Sequence, residues 1–170
     1  AAYMIATLRL GWYKVHKAVE YYAAYFTVRS ENLDGAIAMQ GHQAVRDKMN
    51  NIKQKQSVHE ATAKDEAEFQ TLQIVNEMMA RKIEFLPVDI YKSEAKMFKV
   101  EDGKIRLPFS SLPGVGGAAA DSLAETGKHT EYLSIEDMQI KTKVTKAVIE
   151  TLKDVGVLKD LPESSQMSLF

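Results

Sequence analysis

Residues 112–117, Leu-Pro-Gly-Val-Gly-Gly, are the ones whose types and order could bind a ligand most directly. Gly114 and Gly116 permit a tight turn, because neither carries a Cβ atom that would obstruct it. Their backbone N–H groups, together with those that open the following helix, can converge on one phosphate oxygen. Residues 118–120 are all alanine and would let two short helices pack closely. The chemistry that this spacing indicates is anion binding by backbone groups.

The same segment resembles a helix-hairpin-helix element. In that element an apolar residue, Pro-Gly, an aliphatic residue and Gly come before a helix of small residues, and residues 112–120 follow this order. Such an element holds the DNA backbone without reading the base sequence. The alternative is a plain loop between two helices, in which the glycines serve only as helix caps.

A second, weaker copy of the element follows. Ser134 and Asp137 can cap a helix, residues 141–143 can form the hairpin, and residues 144–155 can form the helix after it. This copy lacks the glycines. Three lysines are placed to add positive charge toward DNA, namely Lys141, Lys143 and Lys146. Lysines at helix ends are often only solvated, so both interpretations stay open.

The last five residues have the character of a short docking peptide. They read Gln166-Met167-Ser168-Leu169-Phe170 and resemble the pentapeptide that binds the bacterial sliding clamp. An extended peptide can place Leu169 and Phe170 in an apolar cleft while Gln166 hydrogen-bonds at its rim. The alternative is that these side chains fold back on the core. We expect residues 162–170 to form an extended tail.

The elements that must position these segments are mostly helical. Residues 3–28 are expected to form one or two helices and residues 36–55 an amphipathic one. Thr62 with Asp65 resembles a capping box at the start of a further helix that ends near residues 81–82. Basic residues on the helix over 36–55 could face phosphates, although a solvated helix face is the favoured interpretation. These basic residues are Arg46, Lys48, Lys53 and Lys55.

The middle of the chain changes to the alternating pattern of strands. Residues 83–91 and 97–100 have this pattern, and Asp102-Gly103 predicts a tight hairpin because the turn needs positive φ angles. From residue 107 onward the sequence favours short helices separated by glycine. The predicted fold class is therefore mainly α with a small β-hairpin element.

Composition limits the classes of protein to consider. The chain has 170 residues, of which 45% are hydrophobic and 26% charged, as in a globular domain. It has no cysteine, which excludes disulfides and thiolate metal sites and fits a reducing cytoplasm, the location we expect. No apolar run is long enough to cross a membrane. Because the net charge is -1, DNA binding must come from local patches and backbone groups.

The first fifteen residues are apolar around most of a helix. Leu8, Trp12 and Val15 are examples, and no capping residue precedes the segment. A helix that is apolar on nearly all sides is normally buried, and the rest of this sequence supplies too little protein to bury it. The sequence therefore indicates a piece of a larger chain. The alternative is a small helical domain that dimerises through this segment.

Taken together, the segments resemble one family across nearly the whole chain. This family is the PolC-type DNA polymerase III alpha subunit, a bacterial replicative polymerase. The matching stretches occur in family order: KVH and YYAAYFTVR within 14–29, FLPVDIYKSEA at 85–95, LPFSSLPGVG at 107–116, LSIEDMQIKTKVTKAVIETL at 133–152, and the terminal QMSLF. One departure is Ala18, where the family usually has a proline, and this leaves the helix break near residue 17 open.

The resemblance implies a division of the chain and its partners. Residues 1–30 would end the fingers region, 31–106 would connect it to a tandem helix-hairpin-helix at 107–161, and 162–170 would be the clamp-binding tail. It implies DNA-binding roles for Gly114, Val115, Gly116 and Gly117 and clamp-binding roles for the last five residues. The expected partners are duplex DNA, the sliding clamp and the rest of the polymerase chain, with no membrane.

We find no complete catalytic site in the sequence. Polymerisation needs paired carboxylates that hold two metal ions, so Mg²⁺ is expected for the whole polymerase and no cofactor for this part. Glu101-Asp102 and Glu136-Asp137 are sequence neighbours that do not face the same way, and the four histidines lack metal-ligand spacing. Two other functions stay open: a free-standing helix-hairpin-helix repair adaptor, and a purely structural helical domain.

Overall fold

The computed structural model describes residues 1–29 and 33–164. These residues form eight α-helices: α1 (Ala2–His16), α2 (Ala18–Val28), α3 (Gly35–Met39), α4 (His42–Ser57), α5 (Ala63–Ala80), α6 (Gly117–His129), α7 (Ile135–Thr142) and α8 (Lys146–Asp154). The described part of the chain also has three short strands, β1 (Phe85–Leu86), β2 (Lys99–Glu101) and β3 (Lys104–Arg106), and a 3₁₀ turn at Phe109–Ser111. The predicted class, mainly α with a small β element, is confirmed.

Backbone geometry at two single residues divides the predicted N-terminal helices. Lys17, with φ -136° and ψ 51°, separates α1 from α2, so the chain bends there although Ala18 replaces the family's proline. The prediction of one helix over residues 36–55 is wrong, because Gly41 adopts φ +95° and separates α3 from α4. Only glycine takes this conformation without strain.

The predicted capping box begins α5. The backbone N–H of Thr62 donates to the Asp65 carboxylate at 2.9 Å, and the N–H of Asp65 donates to the Thr62 hydroxyl at 3.1 Å. These reciprocal bonds satisfy two donors that a helix start would otherwise leave unpaired. Hydrogen bonds from Thr62 lower the pKa of the Asp65 carboxyl well below its usual range.

The sheet has the strand order β1-β3-β2. Strands β2 and β3 form the predicted hairpin, whose turn residues Asp102 and Gly103 adopt φ 50° and 75°. Strand β1 pairs in parallel with β3 and is only two residues long. The strand predicted up to residue 91 is wrong beyond β1, because the Asp89 carboxylate accepts from the N–H groups of Tyr91 and Lys92 and forms a turn.

One cluster of buried apolar side chains runs through the described residues, from Tyr22 in α2 to Leu158 after α8. Within it, α6 packs closely on the loop after β1, because Gly127 lies against the carbonyl of Ile90. A Cβ atom at this position would clash with that carbonyl. The first helix of the hairpin region is therefore held by close backbone approach against the loop that follows β1. No described helix is long and apolar enough to span a membrane.

Candidate nucleic-acid interface

The first hairpin joins a 3₁₀ turn to α6. Leu112 is extended at ψ 134°, because the proline that follows disfavours the helical conformation at the residue before it. Gly114 then adopts φ +81°, and the N–H of Val115 donates to the Leu112 carbonyl at 3.2 Å and closes the turn. Val115 is buried, so it holds the hairpin on the core, while Gly116 and Gly117 are exposed.

The start of α6 exposes backbone donors. Gly116 occupies the N-cap position and supplies no side-chain acceptor, so the amides of the first turn have no side-chain cap. A Cβ atom on Gly117 would lie 3.5 Å from the Nζ atom of Lys96, an exposed residue in the loop before β2. No carboxylate of the described residues pairs with Lys96. A cation beside the positive end of a helix dipole is unfavourable, whereas an anion bound between them would interact favourably with both the ammonium group and the helix N-terminus.

Lys96 is the residue of this site that sequence reasoning missed. It precedes Gly117 by 21 positions, and only the packing of the loop before β2 on α6 brings the two together. No local pattern in the sequence marks this lysine.

The second hairpin joins α7 to α8. The Ser134 hydroxyl caps α7 by accepting from the N–H of Asp137 at 3.1 Å, as the sequence predicts. Lys143 ends α7 in the left-handed conformation, at φ 57°, and does here what glycine does in the first hairpin. Thr145 caps α8, which begins at Lys146 rather than at residue 144 as predicted, because the buried Val144 belongs to the turn.

The two hairpin units pack on each other. The Ser122 hydroxyl in α6 donates to the carbonyl of Thr142 at the end of α7. A Cβ atom on Gly114 in the first hairpin would lie 3.6 Å from the Oγ1 atom of Thr151 in α8. The tandem is therefore one packed unit in which each hairpin joins a preceding helical segment to the helix after it.

Comparison with known proteins identifies this unit. Residues 82–167 match the helix-hairpin-helix motif family, which is half of the chain and includes both hairpins. The chain belongs to that family. The DNA polymerase III PolC-type of Thermotoga maritima is 37% identical over 169 residues, or 99% of this chain and 12% of that protein.

Two further PolC-type polymerases agree. That of Clostridium perfringens is 40% identical over 169 residues, or 99% of this chain. That of Halalkalibacterium halodurans is 40% identical over 170 residues, or 100% of this chain. The resemblance to this polymerase family is confirmed, and the chain spans about 12% of the length of these relatives.

The three lysines of the second helix-hairpin-helix unit differ in their surroundings. Lys141 pairs with the Asp137 carboxylate at 2.7 Å and donates to the Glu131 carbonyl at 3.0 Å. The hydrogen bond from the Lys141 ammonium group lowers the pKa of the Asp137 carboxyl. Lys143 and Lys146 are exposed, and neither has an ion-pair partner among the described residues. The second hairpin thus presents two uncompensated positive charges where α8 begins.

The basic face of α4 has a different environment. Lys48 pairs with Glu68 at 3.4 Å, and Lys55 pairs with Asp65 at 3.2 Å. Both carboxylates come from α5, the helix that packs alongside. These ion pairs neutralise two of the four basic residues of this face, which favours a solvated role over phosphate binding at Lys48 and Lys55.

Carboxylates near the sheet are also engaged. Glu101 accepts two hydrogen bonds from Arg106, at 2.9 and 2.7 Å, and these bonds lower the pKa of its carboxyl from 4.5 to about 2. Asp137 is held by Lys141. In the described ranges, no three acidic or histidine side chains lie close enough to hold a metal ion. The predicted clamp-binding residues, Gln166, Met167, Ser168, Leu169 and Phe170, lie outside the described residues.

Proposed function

We propose that this chain is a non-catalytic part of a bacterial replicative DNA polymerase that holds duplex DNA without sequence specificity and tethers the enzyme to the sliding clamp. The observation that carries the proposal is the packed tandem of hairpins within a chain that resembles PolC-type polymerases over nearly its whole length. The catalytic palm and its Mg²⁺ ions would belong to other parts of the longer polymerase.

In the first hairpin, backbone groups would do most of the binding. The uncapped amides at the start of α6 can donate to a phosphate oxygen, and the helix dipole favours the negative charge there. Lys96 would neutralise the same phosphate from the side of the loop before β2. Contacts to phosphate alone carry no sequence information, so binding should not depend on base sequence.

The second hairpin would hold the duplex more by charge. Lys143 and Lys146 would contact phosphate, whereas Lys141 is occupied by Asp137. Because the two units pack as one body, the hairpins would bind the duplex together. The ion pair of Lys141 with Asp137 favours Lys143 and Lys146 as the phosphate-binding lysines.

The exposed apolar face of α1 favours a place inside a larger polymerase. No residue of α1 is buried, and Tyr3, Leu8 and Val15 are 90%, 70% and 71% exposed. Contiguous apolar surface of this kind usually marks an interface. We propose that the rest of the polymerase chain covers it. The same face argues against a free-standing repair adaptor.

Binding to DNA is tested by titrating the chain into labelled duplexes of two unrelated sequences over a range of salt concentrations. Equal affinities that fall steeply with salt are expected, because release of counterions from phosphates drives such binding. A strong preference for one sequence would argue for base readout. Absence of binding at low salt would leave only the structural-domain interpretation.

Clamp tethering needs a separate titration. The purified sliding clamp is titrated against the full chain and against a copy that lacks residues 166–170. Binding by the full chain alone is expected if the pentapeptide is the tether. Equal binding by both copies would exclude the tail as the clamp-binding element and assign clamp binding to another part of the chain. Binding by neither copy would favour the repair-adaptor alternative.

A further inference from the structure

The chain reverses direction after α8 through a defined helix cap. The N–H of Gly156 donates to the Lys153 carbonyl at 2.8 Å, and the N–H of Val157 donates to the Leu152 carbonyl at 2.9 Å. This pair of bonds, with Gly156 at φ +76°, is a Schellman motif. It ends α8 at a fixed place and sends the following residues back toward α7.

The returning segment then docks on the second hairpin unit. Leu158 is buried and Leu161 packs against the core. The N–H groups of Ile135 and Glu136 donate to the carbonyls of Pro162 and Glu163 at 2.9 and 3.2 Å. The first amides of α7 are therefore satisfied by the chain itself, unlike those of α6.

An ion pair supports the same docking. Lys153 in α8 contacts the Glu163 carboxylate at 2.9 Å, and this contact raises the pKa of the Lys153 ammonium group. Because the Glu163 side chain is 75% exposed, the ion pair adds little stability by itself. The buried leucines and the two backbone hydrogen bonds supply most of the attachment. We call residues 157–163 the tail root.

The tail root leaves a short connection to the pentapeptide. Three peptide units separate Glu163 from Gln166, and such a segment spans at most about 11 Å when fully extended. Any clamp that binds residues 166–170 must therefore come close to the end of the unit where α7 begins and α8 ends.

We propose that the tail root fixes the position from which the pentapeptide leaves the tandem, so that a captured clamp lies against the α7–α8 end of the DNA-binding unit. The inference rests on the proposed function. A short, anchored connection keeps the bound clamp close to the hairpins. DNA that the hairpins already hold is therefore at a high effective concentration relative to the clamp.

Lengthening the connection tests this proposal. A Gly-Ser insertion of about 16 residues after Ser164 leaves the tail root and the pentapeptide unchanged. Affinities for free clamp and for free duplex should stay the same. Affinity for a clamp loaded on primed DNA should fall about tenfold, because the end-to-end distance of the connection more than doubles and effective concentration scales inversely with its cube. An unchanged affinity for the loaded clamp would overturn the proposal.

Proximity can be tested separately, because the chain has no cysteine of its own. A photo-crosslinker is attached through Glu136→Cys at the start of α7, and through Glu60→Cys in the exposed α4–α5 connection as the matched control. Crosslinking to the clamp from position 136 but not from position 60 is expected. Equal crosslinking from both positions, or from neither, would overturn the inferred placement.

Different outcomes test the clamp-binding pentapeptide and the anchored connection. If deletion of residues 166–170 leaves clamp binding intact, the proposed assignment of clamp binding to the pentapeptide fails, and the anchored connection fails with it. If the deletion abolishes binding but the inserted linker has no effect on the loaded clamp, only the anchored connection is wrong.

Discussion

The three lysines of the second hairpin should differ in their contribution to DNA binding. Lys143 and Lys146 have no ion-pair partner among the described residues, so replacing either with Gln removes a free positive charge. Lys141 is already neutralised by Asp137 at 2.7 Å, which makes Lys141→Gln the matched control. All three variants lose the same formal charge, so a difference between them reflects placement and not net charge.

The magnitude follows from counterion release. Each phosphate that a protein neutralises changes the slope of log affinity against log salt by about 0.9. Between about 50 and about 200 mM salt, one contact is therefore worth about 3.5-fold in affinity. Loss of both contacts in the double variant Lys143→Gln/Lys146→Gln should reduce the salt-induced change in affinity by about 12-fold, and Lys141→Gln should leave it nearly unchanged.

The assay is fluorescence anisotropy of a labelled duplex at several salt concentrations. Thermal unfolding of each variant serves as the control for folding, since Lys143 has a left-handed backbone that Gln tolerates about as well as Lys. If Lys141→Gln lowers the salt slope as much as the other two changes, the ion pair with Asp137 does not keep Lys141 from binding phosphate. If none of them changes the slope, the second hairpin does not contact phosphate.

Three further outcomes are expected. Gly116→Ala should weaken duplex binding severalfold without loss of stability, because the added methyl group meets no protein atom but lies where a phosphate approaches; Gly11→Ala, also in open space, is the control in the same titration. Gly127→Ala should destabilise the fold by about 1–3 kcal/mol in denaturant unfolding, because the backbone carbonyl that contacts Gly127 must shift; an increase in stability would contradict this. The Glu101 pKa of about 2 in the folded chain lies below its usual 4.5, so its pairing with Arg106 stabilises the fold above about pH 4.5, and this contribution is lost as the pH falls toward 2. Replacing Arg106 with Met should flatten the stability profile in that pH window, and an unchanged profile would exclude this pair as its cause.

Local patterns predicted local structure well. The turn at Asp102-Gly103 and the capping box at Thr62 were readable because each depends on a few adjacent residues. The break at Gly41 was missed, because an isolated glycine within a helical pattern is compatible with either a continuous helix or a break. Strand lengths were overestimated, because the Asp89 side chain competes for the backbone N–H groups that a strand would use.

Some residues of the candidate site are also predictable from local patterns, and others depend on tertiary packing. The glycines of the first hairpin are identifiable from their spacing, because the conformation of a tight turn depends on a few adjacent residues. The ion pair of Lys141 with Asp137 was available as a spacing of four residues along a helix, but the sequence does not show that Lys143 lies beyond the helix end. Lys96 and the docking of Pro162 on α7 depend on tertiary packing, so no local pattern predicts them.

The most direct test of duplex binding by both hairpins is an amide chemical-shift titration of the isotope-labelled chain with a short duplex. The proposed function predicts that the largest shifts fall on residues 114–119 and 143–147, with little change along α4. Shifts concentrated on α4 or on the apolar face of α1, with the hairpin amides unmoved, would contradict it.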